Sequence, residues 1–199
     1  MHDTDKPVRL RLVQDSAAHP RSAAPYGDGR LAGAAGLDDS DMMSGRLSPL
    51  PPGAYAWHHE LTPDWADSDI YGHVNNVAYL SYFDTTMNLA LVEHGALDLT
   101  ARASGPIGLV VQNGAQFFHE INFPARICVG VRVEAIGTTS LAWGFGLFDT
   151  QRNICAARGR FVHVYVDRET RRPTPLTPAL KICAETLFRD PALDAARGG

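Results

Sequence analysis

Asp67-Ser68-Asp69-Ile70-Tyr71-Gly72-His73-Val74-Asn75-Asn76-Val77-Ala78-Tyr79-Leu80 sets two carboxylates, a glycine, a histidine and an asparagine pair directly before a long apolar run that ends near Gly95. Asn75 or Asn76 is a fitting helix N-cap, and Gly95 suits the position just past a helix end, where the chain turns left-handed. The reading is a helix over roughly 76–94. Val77, Leu80, Phe83, Met87, Ala90 and Leu91 recur at helical spacing. Tyr79, Tyr82, Leu89 and Val92 widen the apolar arc until Ser81, Thr85 and Asn88 form only a narrow polar stripe. A helix so nearly apolar all round is expected to be enclosed by other elements.

The segments that follow are strands. Pro106 to about Phe118 is apolar and β-prone, with a bulge or break expected near Gln112, Asn113 and Gly114. Arg126 to Glu134 alternates strictly, placing Ile127, Val129, Val131 and Val133 on one face. In Leu141 to Phe148, Leu141, Trp143, Phe145 and Leu147 share a face opposite Ala142, Gly144 and Gly146, a small-residue side that allows close approach by another element, such as the helix. Ile154 to Val166 is the last long strand, and Thr177-Pro178 opens a short terminal helix. Before the first helix, Tyr55 to Leu61 reads as a further strand, on which the adjacent His58 and His59 point to opposite faces and cannot share a metal. Successive strands with short turns argue for an antiparallel meander, hence an α+β fold. One sheet curled around one helix leaves edges to cover, which makes a homodimer the expectation.

Residues 1–52 differ in kind, being rich in Ala, Gly, Ser, Asp and Pro and closed by Ser48-Pro49-Leu50-Pro51-Pro52-Gly53. They read as a disordered extension, with the folded domain over 53–190 and a disordered tail over 191–199, because too few large apolar groups offset the entropy of ordering. Composition then excludes several classes. A formal charge of −4 argues against a general nucleic-acid binder. No apolar run approaches the roughly 20 residues of a membrane span, so no membrane partner is expected and the cytoplasm is the expected location. Cys128, Cys155 and Cys183 form no CxxC, and they read as small buried hydrophobes in a reducing compartment. The eight histidines make no HExxH or Cys/His ligand spacing, and no GxSxG occurs, so zinc and serine-hydrolase chemistry are poorly supported.

What remains is the junction itself. A helix start offers unpaired N–H groups and the positive end of a dipole. An acid a few residues upstream faces the same small volume. A carbonyl oxygen held by the N–H groups could be worked on by Asp69 directly or by a water that it activates. The Asn76 N–H, helped by Val77, is the expected oxyanion donor. Gly72 supplies either a positive φ or close approach of substrate to backbone. His73 is a base, an acid for the leaving group, or a tie that fixes the loop. Tyr71 and Tyr79 line a substrate pocket or are plain core aromatics. Asp67 reads as structural. Arg126, Arg132, Arg158 and Arg160 either meet phosphates or are ordinary surface charge.

The Asp-x-Asp-x-x-Gly-His-Val-Asn-Asn run of Asp67 to Asn76, placed just before the long helix and followed by this order of strands, resembles the hot-dog-fold acyl-CoA thioesterases of the 4-hydroxybenzoyl-CoA thioesterase type. The resemblance covers about residues 55–190. It implies a helix enclosed by a curved antiparallel sheet, subunits joined into dimers or tetramers, and active sites between the helix start of one subunit and strands of its partner. It also implies hydrolysis of an acyl thioester without metal or bound cofactor, coenzyme A entering as part of the substrate, and Asp69 as the catalytic acid. Family members often carry an Arg five residues before that acid, where this chain has Asp64. A hot-dog dehydratase or hydratase, or a non-catalytic acyl-thioester binding module, is the alternative on the same fold.

Overall fold

A computed structural model describes residues 47–100 and 105–191. The expected disorder of residues 1–46 and 192–199 lies outside the described residues. Strand β1 (Trp57–Leu61) is followed by helix α1 (Asn76–Glu93), strands β2 (Ile107–Phe117), β3 (Ile127–Ile136), β4 (Ser140–Asp149) and β5 (Ile154–Val166), and helix α2 (Pro178–Leu187). All strand pairs are antiparallel, in the order β1-β3-β4-β5-β2. Strands β3, β4 and β5 form the expected meander, but β2 crosses over to pair with β5, with Ile107 opposite Val166 and Phe117 opposite Ala157. Its bulge falls between Val110 and Gln112, just before the expected place. Helix α1 on one face of this five-stranded sheet is the hot-dog arrangement.

Alternation decides which side chains meet the helix. Val129, Val131 and Val133 of β3 and Leu141, Trp143, Phe145 and Leu147 of β4 are fully buried, packed with Tyr79, Phe83, Met87, Ala90 and Leu91 of α1. Phe83 stacks on Phe145 with ring centroids 5.0 Å apart and meets Phe161 edge-on. Gly159 of β5 is the floor beneath Phe83, since a Cβ there would overlap its ring. The helix is not enclosed on every side: Val77, Leu89 and Val92 point outward, with Val77 67% exposed.

The small-residue side of β4 admits something other than the helix. Tyr55 lies across Gly130 and Gly146 on the opposite sheet face, where a Cβ on either glycine would overlap its ring, and its hydroxyl donates to the Phe145 carbonyl at 3.2 Å. Glu134 covers Gly144 and accepts from Arg132 Nη2 at 2.7 Å, with Arg160 Nε 3.3 Å from its other oxygen. These arginines brace the sheet. Residues 47–52, assigned by composition to the extension, cross this same face. Leu50 is buried with Ala54, Tyr55 and Phe148, the Leu47 N–H donates to Gln116, and Arg158 donates to the Ser48 carbonyl. One leucine with two hydrogen bonds holds a proline-rich stretch that carries no periodicity to read.

His163 stands on the helix face of β5, 5% exposed, and burial pushes its pKa down to about 4. The ring is neutral in the folded chain, whereas an unfolded histidine titrates near 6.5. The depressed pKa leaves stability complete above about pH 6.5 and removes it as pH falls towards 4, a loss on the order of 3 kcal/mol across that window. Urea unfolding at pH 7 and pH 4.5 should show wild type losing more stability than His163→Phe. Asp84, Asp98 and Arg168, which share the cavity wall with His163, are present in both proteins, so the difference reports the imidazole. No helix among the described residues is long and apolar enough to cross a membrane.

Candidate active site

The loop before α1 is a tight turn closed by main-chain bonds. The Asp69 N–H donates to the His73 carbonyl at 2.8 Å, and the Gly72 N–H donates back to the Asp69 carbonyl at 3.1 Å. Gly72 has φ +85°, and a Cβ there would meet nothing within 4 Å, so glycine is required for its backbone conformation and not for close approach. The segment is clamped from both sides. The Val74 N–H donates to the Ile121 carbonyl and the Asn75 N–H to the Asp67 carbonyl, both at 2.7 Å. Asp67 is a bracing group: it accepts from the Asp64 N–H at 2.7 Å and from the Tyr82 hydroxyl at 2.6 Å. Asp64 caps the short 3-10 turn Trp65–Asp67.

Asp69 is half-buried and its two oxygens differ. Oδ1 accepts from the Tyr71 N–H at 2.8 Å and the His73 N–H at 3.4 Å, whereas Oδ2 has no hydrogen-bond partner among the described residues. At the helix start the Asn75 side chain accepts from the Val77 N–H at 3.0 Å, and the Ala78 N–H goes to the Asn75 carbonyl. Val77 therefore cannot assist as a second donor. The Asn76 N–H has no acceptor among the described residues.

Asp69, His73, Asn76 and Tyr79 share an open groove of about 380 Å³, walled by Phe117 and Phe118 from the end of β2 and by His119 and Glu120 beyond it. Tyr79 is buried, edge-on to Phe117 at 5.0 Å, with burial pushing its pKa up to about 12. His73 Nε2 lies 3.1 Å from Glu120 Oε2, so its ring is held by Glu120, while only its main chain meets Asp69. Tyr71 and Val77 do not line this groove; Tyr71 is 77% exposed. Glu120 and His119 are wall residues that local reading misses, because nothing in a loop some 40 residues downstream marks its return to the helix start. Cys183 is buried and Cys128 and Cys155 half-buried, and burial pushes all three thiols up, away from nucleophilic thiolate. Among the described residues no group of three His, Cys, Asp or Glu side chains is placed to hold a metal ion.

An acid with one pinned and one open oxygen thus shares a groove with an unpaired N–H at a helix N-terminus. Residues 63–182 match the family model described as the thioesterase-like superfamily. Among solved structures, the PA5185 protein of Pseudomonas aeruginosa is similar at 38% identity and a TM-score of 0.66, over 70% of this chain and 96% of that one. A 1,4-dihydroxy-2-naphthoyl-CoA thioesterase from Synechocystis shares the fold at 17% identity and TM-score 0.60, over 64% and 93% of the two chains. A DHNA-CoA thioesterase from Staphylococcus aureus does so at 17% identity and TM-score 0.58, over 65% and 86%. No curated protein matches the sequence.

Proposed function

The chain belongs to the thioesterase-like superfamily, and from that premise we propose that it hydrolyses an acyl-CoA thioester to free acid and coenzyme A, with Asp69 as nucleophile or general base. The observation that carries this reading is the asymmetry of Asp69: two N–H groups fix Oδ1 and leave Oδ2 without a partner among the described residues, on a side chain that lines the groove shared by Asn76. The thioester carbonyl carbon sits between them. Its oxygen receives the Asn76 N–H, where the helix dipole favours developing negative charge. Oδ2 then either attacks that carbon, giving a mixed anhydride that water opens, or takes a proton from the water that attacks. In both routes the C–S bond breaks, coenzyme A leaves as the thiol and one water is consumed. Hydrolysis needs only water and a base, and coenzyme A enters as part of the substrate. His73, braced by Glu120, orients the far side of the groove.

The groove is open in one protomer, and the fold suggests its completion. Among the described residues, strand β2 has a neighbour on one side only; it spans 11 residues and contains neither a charged residue nor a proline. Natural sheets protect such an edge with charge, proline or cover. Pairing of two β2 edges about a twofold axis supplies the cover, making a homodimer, and a tetramer where two dimers join.

The test is free-thiol release from a panel of aliphatic and aromatic acyl-CoAs by the purified full chain. Release that scales with enzyme supports hydrolysis and ranks the acyl groups. Tight binding of acyl-CoA without thiol release would sink the hydrolase reading in favour of a binding module.

A further inference from the structure

A second and larger cavity, about 510 Å³, lies between the later half of α1, the start of β2, the end of β5 and the start of α2. Its wall joins apolar Met87, Leu91, Ile107 and Leu180 to the charged Asp84, Asp98 and Arg168, and it holds one imidazole, that of His163. The His163 imidazole makes no hydrogen bond among the described residues, and its Nδ1 is sealed from solvent without a partner. The nearby ring contact is Phe161, which offers no polar atom. Buried polar groups are almost always satisfied, and one that is not calls for a cause. Gly108 keeps this wall open, because a Cβ there would press on Tyr165 at 3.2 Å and on His163 at 3.3 Å.

Within one protomer this cavity and the Asp69 groove share no wall residue. They open at opposite ends of β2, yet on α1 their nearest wall residues, Tyr79 and Asp84, stand five residues apart, about 8 Å at the helical rise. Antiparallel pairing of two full-length β2 edges also brings them together across two copies. It sets the Ile107 end of one copy beside the Phe117 end of the other, so the cavity of one protomer adjoins the Asp69 groove of its partner.

We infer that this cavity receives the far end of the acyl group, and that His163 selects acyl chains bearing a hydroxyl or carbonyl on an otherwise apolar body. The inference rests on the hydrolase reading. A neutral imidazole carries one donor and one acceptor, and with Nδ1 sealed a hydroxyl serves Nε2 in whichever of the two roles it holds. A plain alkyl chain fills the cavity but leaves His163 unsatisfied. His163 is thus a specificity residue that touches the substrate far from the bond that breaks.

The experiment uses S-alkyl-CoA thioethers of graded chain length and their S-(ω-hydroxyalkyl) counterparts, which cannot be hydrolysed. Their affinities for wild type, His163→Phe and His163→Gln are measured by calorimetry, and the His163 nitrogen resonances are followed in protein labelled with 15N-histidine. At the chain length that reaches the cavity, wild type should prefer the hydroxylated member about tenfold, with a shifted His163 resonance. The preference should vanish in His163→Phe and partly survive in His163→Gln. Equal binding of the pair across the series, with an unmoved resonance, overturns the inference, as does a preference that persists in His163→Phe. The wild-type spectra decide the matter even where a variant fails to fold. A preference with no thiol release from any thioester would sink the hydrolase reading and leave the cavity's selectivity standing.

Discussion

Replacing Asp69 by Asn should lower kcat/KM for thiol release by about 10³-fold or more, roughly 4 kcal/mol of lost transition-state stabilisation. The substitution separates the two jobs of the side chain. An amide oxygen at the Oδ1 position still accepts from the Tyr71 and His73 N–H groups, so the turn keeps its shape. The other position becomes an NH₂ group, which neither attacks a carbonyl nor takes a proton from water. Stability should therefore be nearly unchanged while activity collapses. Asp69→Ala removes both jobs and should also cost about 1–3 kcal/mol, because two turn N–H groups lose their acceptor. Thiol release and urea unfolding on the same three proteins distinguish these cases. An Asn variant that keeps near wild-type turnover would remove Asp69 from the chemistry.

Phe83→Ala should destabilise the fold by about 3–5 kcal/mol, the range for emptying a large core site. Phe83 is fully buried and lies between Phe145, Phe161 and the bare backbone of Gly159, so the surrounding sheet cannot collapse into the space it leaves. The reverse error is also costly. Gly159→Ala drives a methyl into the same ring and should cost about 1–3 kcal/mol through overpacking. Because the two changes act on one volume, the double variant Phe83→Leu/Gly159→Ala should be more stable than the sum of its parts implies. Denaturant midpoints of wild type, Phe83→Leu, Gly159→Ala and the double variant close the cycle. Strict additivity would mean that the Phe83 ring moves aside freely.

The parts of this molecule that sequence conveys are those written locally. Helix α1 begins at Asn76 because Asn75 caps it, and it stops beside Gly95, which has φ +69°. The turn around Asp69 is a contact with residues two and four ahead, within reach of a motif. The faces of β3 and β4 follow from a period of two. Other parts depend on what meets from far along the chain. Nothing near Ile107 says that β2 will choose β5 over β3, and nothing near Glu120 says that it will reach His73. Gly144 and Gly146 did announce a close neighbour, but glycine tells only that something approaches. It was Tyr55 and Glu134, on the face away from the helix.

Strand β2 also bears on how stability itself is defined for this chain. If its open edge is filled by a second copy, folded protein and associated protein are linked by mass action, and the chain acts as its own stabilising ligand. A protomer diluted below the dissociation constant would then lose both the cover over Val110 and Phe117 and the wall that completes its groove. Activity per molecule would fall with concentration, so the amount of protein made sets how much of it is an enzyme.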